Sequence, residues 1–96
     1  MLQVILKNKN SKASYTFNCE NAKQGAKMIA YYGNVAVDNS IISAIIKGCC
    51  TRANVATSNP TNPDFLDKIS ESLAFEILES FKKINSKIQI KTLAIV

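Results

Sequence analysis

Ninety-six residues with 47% apolar side chains and a formal charge of +5 fit one folded domain, residues 1–96, and argue against a disordered chain or a second domain. The complete absence of histidine excludes the Ser–His–Asp and Cys–His nucleophile arrangements and most zinc sites. The charge is also uneven. Residues 1–52 carry seven basic and two acidic side chains, a net +5, whereas residues 53–96 carry five of each and balance. An electropositive N-terminal half attracts phosphates or an acidic protein surface.

The first predicted element is a β-hairpin. Leu2, Val4 and Leu6 alternate with Gln3, Ile5 and Lys7, NKNSK (8–12) turns, and Ala13, Tyr15 and Phe17 share one face of the return strand. Lys7, Lys9 and Lys12 stud the tip. A first helix follows, opened by Asn18 or Glu20, with Ala22, Ala26, Ile29 and Tyr32 at helical spacing and Gly33 as a left-handed cap. Gly25 lies inside it, where glycine costs about 1 kcal/mol relative to alanine, so a close neighbour is expected there. Lys23 and Lys27 place positive charge on the solvent face. VAVDNS reads as a short extended connector, and Asp38 or Ser40 caps a second helix carrying Ile41, Ile42, Ile45 and Ile46. Lys47 and Gly48 mark its expected end.

Residues 51–62, TRANVATSNPTN, read as a long loop, with a short edge strand at 54–57 as the alternative. Asn62 and Pro63 then open a helix of about twenty-two residues, roughly 33 Å long, with Phe65, Ile69, Leu73, Ile77 and Phe81 repeating every four positions. That length exceeds what a small core requires and suggests packing on a second subunit. Asn85–Ser86 turn the chain into a final strand from Lys87, whose apolar end Leu93–Val96 suggests a central strand or an interface. The expected fold is α+β in the order ββαααβ: the hairpin and the C-terminal strand form a small antiparallel sheet, with about three helices on one face. With the extra strand the order becomes ββααβαβ.

Adjacent Cys49 and Cys50 are the first chemical candidates, with Arg52, the single arginine, just after them. They fall at a helix C-terminus, whose negative pole raises a thiol pKa, and the cysteine-to-arginine spacing of a phosphatase loop is absent. A cysteine enzyme is therefore the minor alternative, and small apolar groups filling a core are the main reading. No cofactor motif and no metal-ligand spacing is present, so no metal or cofactor is expected. Arg52, with Thr51, Asn54, Thr57, Ser58 and Asn59 around it, suits a phosphate, nucleobase or carboxylate. An arginine in this place also serves the exposed carbonyls of a helix end. The carboxylates of residues 64–79 read as solubilising charge, and Glu20 and Asp38 as caps.

The functional expectation is a non-catalytic, homo-oligomeric binding protein for an anionic ligand: a sequestered nucleotide-like molecule, or an acidic protein surface. The alternative is a nucleic-acid-binding protein led by Lys7, Lys9, Lys12, Lys23 and Lys27, with Tyr31 as the exposed ring. Asn, Lys and Ile make up about a third of the chain, a bias of AT-rich coding that also suits a phage or mobile-element inhibitor of a host system. With no signal-peptide pattern at the start and no apolar run of membrane-spanning length, a cytoplasmic setting without membrane contact is expected.

Overall fold

A computed structural model describes residues 2–84 and 88–92. Its elements are β1 (Leu2–Lys7), β2 (Ser14–Cys19), α1 (Ala22–Tyr32), a 3-10 turn (Gly33–Val35), α2 (Asn39–Arg52), α3 (Pro63–Lys68), α4 (Glu71–Ile84) and β3 (Ile88–Thr92). The fold is α+β, as expected. The three strands form an antiparallel sheet in the order β2-β1-β3, with Val4 opposite Phe17 on one side and Ile90 on the other. Directly opposed residues share a face, so Leu2, Val4, Leu6, Cys19 and Ile88 form one apolar floor, and all are buried. The central strand is β1; β3 is flanked by it alone among the described residues, and Leu93–Val96 lie outside them.

Helices α1 and α4 cover the floor, and α2 packs on α4 and on the 3-10 turn. α1 starts at Asn21 rather than Asn18 or Glu20: the Asn21 side chain accepts the Gln24 N–H at 2.9 Å, and Gln24 Oε1 accepts the Glu20 N–H at 2.7 Å. Its glycine end is not a left-handed cap. Gly33 has φ −62° and continues into the 3-10 turn; of the expected extended connector, Val35 ends that turn, Ala36 is in the helical region, Asp38 is extended and Asn39 already begins α2. Packing explains that glycine instead, because a Cβ there would lie 2.8 Å from Cδ1 of buried Ile42. Asp38 stands at the N-cap of α2 without capping it; its carboxylate is taken by Lys9 Nζ at 2.8 Å. α2 then runs past Lys47 and Gly48 to Arg52.

The expected loop is present, beginning at Ala53, and its alternative, a strand at 54–57, does not form: Asn54 takes a left-handed conformation, φ 58°, and the chain passes through turns and bends to Asn62. One further expectation fails. The long helix is two helices, which raises the count to four. Ile69 is extended (φ −71°, ψ 159°), and Ser70 Oγ accepts the Leu73 N–H at 3.1 Å, beginning α4 afresh. The apolar stripe survives the break, since Ile69, Leu73, Ile77 and Phe81 are all buried. With the helix divided, its length no longer argues for a second subunit.

Candidate functional site

The last turn of α2 holds the chemistry that the sequence singles out. Ile42, Ile46, Cys49 and Cys50 face the interior, and both thiols are at most 1% exposed. Burial pushes the Cys50 thiol above its ordinary pKa, with Cys49 adding to the effect, and burial also raises Cys19. Arg52 lies one turn beyond Cys49, and its Nη2–H donates to Cys49 Sγ at 3.2 Å. Ser80 of α4 is 3.3 Å from the same sulfur, and its hydroxyl donates to the Glu76 carbonyl at 3.0 Å. The Cys49 thiol also reaches the Glu76 carbonyl at 3.9 Å, so Arg52, Cys49 and Ser80 form one hydrogen-bonded cluster anchored on the backbone of α4. Cys49 is thus a buried strut that orients a guanidinium, and it offers no surface to a dissolved substrate.

The helix end does not need that guanidinium. The Ala53 N–H serves the carbonyls of Cys49 and Cys50, the Asn54 N–H that of Thr51, and the Val55 N–H bonds Cys50 O at 2.8 Å. With those carbonyls satisfied by backbone, Arg52 faces α4 across an open hollow of about 460 Å³, lined also by Ala53, Phe75, Glu76, Glu79, Ser80 and Lys83. Arg52 and Ser80 also line a hollow of about 270 Å³ with Ala44, Ile45 and Gly48. Phe75 and Glu76 carry the depression on toward Glu71 and Ser72. Together they form a trough along the α2–α4 seam. Phe75 stands 51% exposed beside it, and Ile41, at the N-terminal end of α2, is 40% exposed. Among the described residues, the only ion pairs are Lys9–Asp38 and Lys27–Asp67, so Arg52 has no carboxylate within 4.0 Å.

The loop residues expected around Arg52 are not brought to it. The Thr51 hydroxyl donates to Lys47 O at 2.9 Å, and Thr57 Oγ1 accepts the Asn59 N–H at 3.2 Å. Asn54 forms the turn. Neither hollow at Arg52 includes Thr51, Asn54, Thr57, Ser58 or Asn59. The reason is helical phase: α2 continues through Arg52, and its side chain emerges on the α4 side.

The expected basic patch is also changed. Lys9 pairs with Asp38, holding that carboxyl below its ordinary pKa, chiefly by their hydrogen bond and then by charge. Lys27 pairs with Asp67 at 2.8 Å, and Lys23 Nζ donates to the Asp67 carbonyl at 3.4 Å. Glu71, expected only as solubilising charge, caps α1 from a distance: its carboxylate accepts the N–H groups of Ala22 at 2.8 Å and Lys23 at 3.0 Å. Lys7, Lys12 and Lys23 are the members of the patch without an ion pair among the described residues, Lys23 reaching only a backbone carbonyl.

None of the trough residues of α4, Phe75, Glu76, Glu79, Ser80 and Lys83, was expected at a site, and Glu76 and Glu79 were expected only as solubilising charge. A phenylalanine between charged positions was the one available signal, because Phe75 falls off the buried stripe of its own helix. No group of three metal-ligating side chains occurs among the described residues, and no helix is long and apolar enough to cross a membrane. No protein-family model matches the chain, nor does any curated protein or solved structure.

Proposed function

We propose that this protein is a non-catalytic binding protein, and that the α2–α4 trough receives a segment of a partner protein carrying a carboxylate next to an apolar side chain. The carrying observation is the poised guanidinium. Arg52 is held by one N–H on Cys49, lines the trough, and has no carboxylate among the described residues within 4.0 Å. An oriented guanidinium meets a carboxylate with two parallel hydrogen bonds and loses little freedom in doing so. Exposed Phe75 offers the neighbouring apolar contact, and Lys83 adds a second cation. Glu76 and Glu79 set the register by repelling a misplaced acid.

The shape favours a protein over a sequestered nucleotide. Small-molecule sites enclose most of their ligand, whereas this trough is open along its length and flanked by charges of both signs. An extended depression between two helices suits a peptide segment or an amphipathic helix. Occupying a partner's acidic surface is all that an inhibitor requires.

The reading is tested by NMR titration with acetylated peptides that place Asp or Glu beside Leu or Phe, run against a nucleotide panel. The peptides should move the resonances of Arg52, Phe75 and Ser80, and Arg52→Ala should abolish the shifts. A nucleotide that raises the melting temperature through Arg52 would replace the proposal with a small-molecule sponge. Self-association that fills the trough, seen by native mass spectrometry and lost in Phe75→Glu, would replace it with a homo-oligomer.

A further inference from the structure

The trough leaves a second exposed surface unused. Among the described residues, five large apolar side chains stand exposed and three are tyrosines: Tyr31 at 71%, Tyr15 at 43% and Tyr32 at 41%. Tyr31 and Tyr32 close α1, with ring centroids 4.7 Å apart in an edge-on arrangement. Tyr32 in turn stacks on Phe17 of β2, 4.9 Å between centroids and 19° between planes. Tyr15 lies on the same face of β2, one pleat nearer the hairpin loop. The rings thus form a ladder from the edge of the sheet to the end of α1, and each outer ring is braced by the one beneath it.

Beside the ladder is a mostly apolar notch of about 210 Å³, walled by Lys27, Met28, Tyr31, Tyr32 and Pro63. That volume is below the range that encloses a whole small molecule, and it is on the scale of one planar ring. Nothing acidic lines it. The hairpin loop bearing Lys9 and Lys12 is fastened to the same end of the molecule, because the Lys9 N–H donates to Val35 O at 2.8 Å, three residues beyond Tyr32. Exposed stacked aromatics beside basic side chains are what single strands require: bases stack on rings, and phosphates follow the cations. We infer that the Phe17–Tyr32–Tyr31 ladder, with Lys27 and Lys12 near it, is a stacking platform for single-stranded nucleic acid.

Local charge favours this occupant over an apolar peptide: Lys27 walls the notch, no acid does, and Lys12 on the adjoining loop has no ion pair among the described residues. The Lys27–Asp67 pair is solvent-exposed, and such pairs are weak enough to exchange for a phosphate. The site is independent of the α2–α4 trough and shares no lining residue with it.

The chain has no tryptophan, so tyrosine emission reports stacking directly. Fluorescein-labelled oligothymidylate and oligouridylate of roughly 12 nucleotides, within the span of one single-strand site, are the probes. Binding should quench tyrosine emission, raise anisotropy and weaken with added salt. Tyr31→Ala should reduce affinity by about tenfold, and Lys12→Glu should reduce it for both probes alike, while Arg52→Ala should leave it unchanged. Melting curves will show whether the variants remain folded. Absence of quenching at low salt would overturn the inference. So would a folded Tyr31→Ala variant that binds like the native protein, because the lysines alone would then account for the association. Quenching by an oligoproline peptide but by neither oligonucleotide would assign the notch to a protein instead.

Discussion

The two flanks of α4 are built from the same kinds of residue to opposite ends. Toward α1 and the sheet the seam is closed: Leu73, Ala74, Ile77, Leu78 and Phe81 are buried, and a Cβ on Gly25 would meet Leu78 Cδ1 at 3.2 Å and Leu2 Cδ1 at 3.3 Å. Toward the end of α2 the seam is open. A Cβ on Gly48 would meet only Arg52 Nη1, at an ordinary 3.7 Å, and the facing residues are Glu76, Ser80 and exposed Phe75. One glycine exists because helices touch, whereas the other sits where they part. Stability belongs to the first seam, and the second leaves donors and apolar surface exposed.

The comparison breaks or sharpens under substitution. The largest effect is expected on α4 itself, where Phe81→Ala should cost about 3–5 kcal/mol. Phe75→Ala should change stability by no more than about 0.5 kcal/mol and remove peptide binding. Urea denaturation measures both, and equal losses would end the distinction between the flanks. Gly25→Val, which forces methyl groups onto Leu78 and Leu2, should cost about 2 kcal/mol in the same measurement. Glu71→Ala strips two N–H groups of their acceptor at the start of α1 and should cost about 1 kcal/mol, with faster amide exchange at Ala22 and Lys23. Gly48→Ala has the opposite sign and should stabilise by about 0.5–1 kcal/mol, because it gains helix propensity without a clash. Both glycine variants moving the same way would refute the reading of the two seams.

The smallest effect concerns pH. Lys9 holds Asp38 below its ordinary value of 3.8, so the unfolded chain binds this proton more readily than the folded one. The contribution is present above that ordinary value and fades as pH falls through the lowered one. Carboxyl NMR should show Asp38 titrating low in the native protein and near its ordinary value in Lys9→Met.

Local pattern made much of the fold legible. The alternation of Leu2–Lys7 and Ala13–Phe17 announced the hairpin, and the placement of Gly25 inside a helix announced a close neighbour. The break at Ser70 was not legible. A serine within a four-residue apolar repeat is compatible with an unbroken helix, and only the capping hydrogen bond to Leu73 decides otherwise. Arg52 stood out as the one arginine, yet its surroundings were misassigned. The neighbours that matter come from α4, more than twenty residues along, and those nearest in sequence turn away.

By itself the sequence determined the element types, the apolar faces and the lack of imidazole chemistry, because propensity, periodicity and composition act within a few residues. Tertiary structure alone decided which way Arg52 emerges, what the lysines pair with, that Glu71 caps a helix it does not belong to, and that Tyr31, Tyr32 and Phe17 form one ladder. Those outcomes depend on helical phase and on distances between segments far apart along the chain, and a linear pattern carries neither.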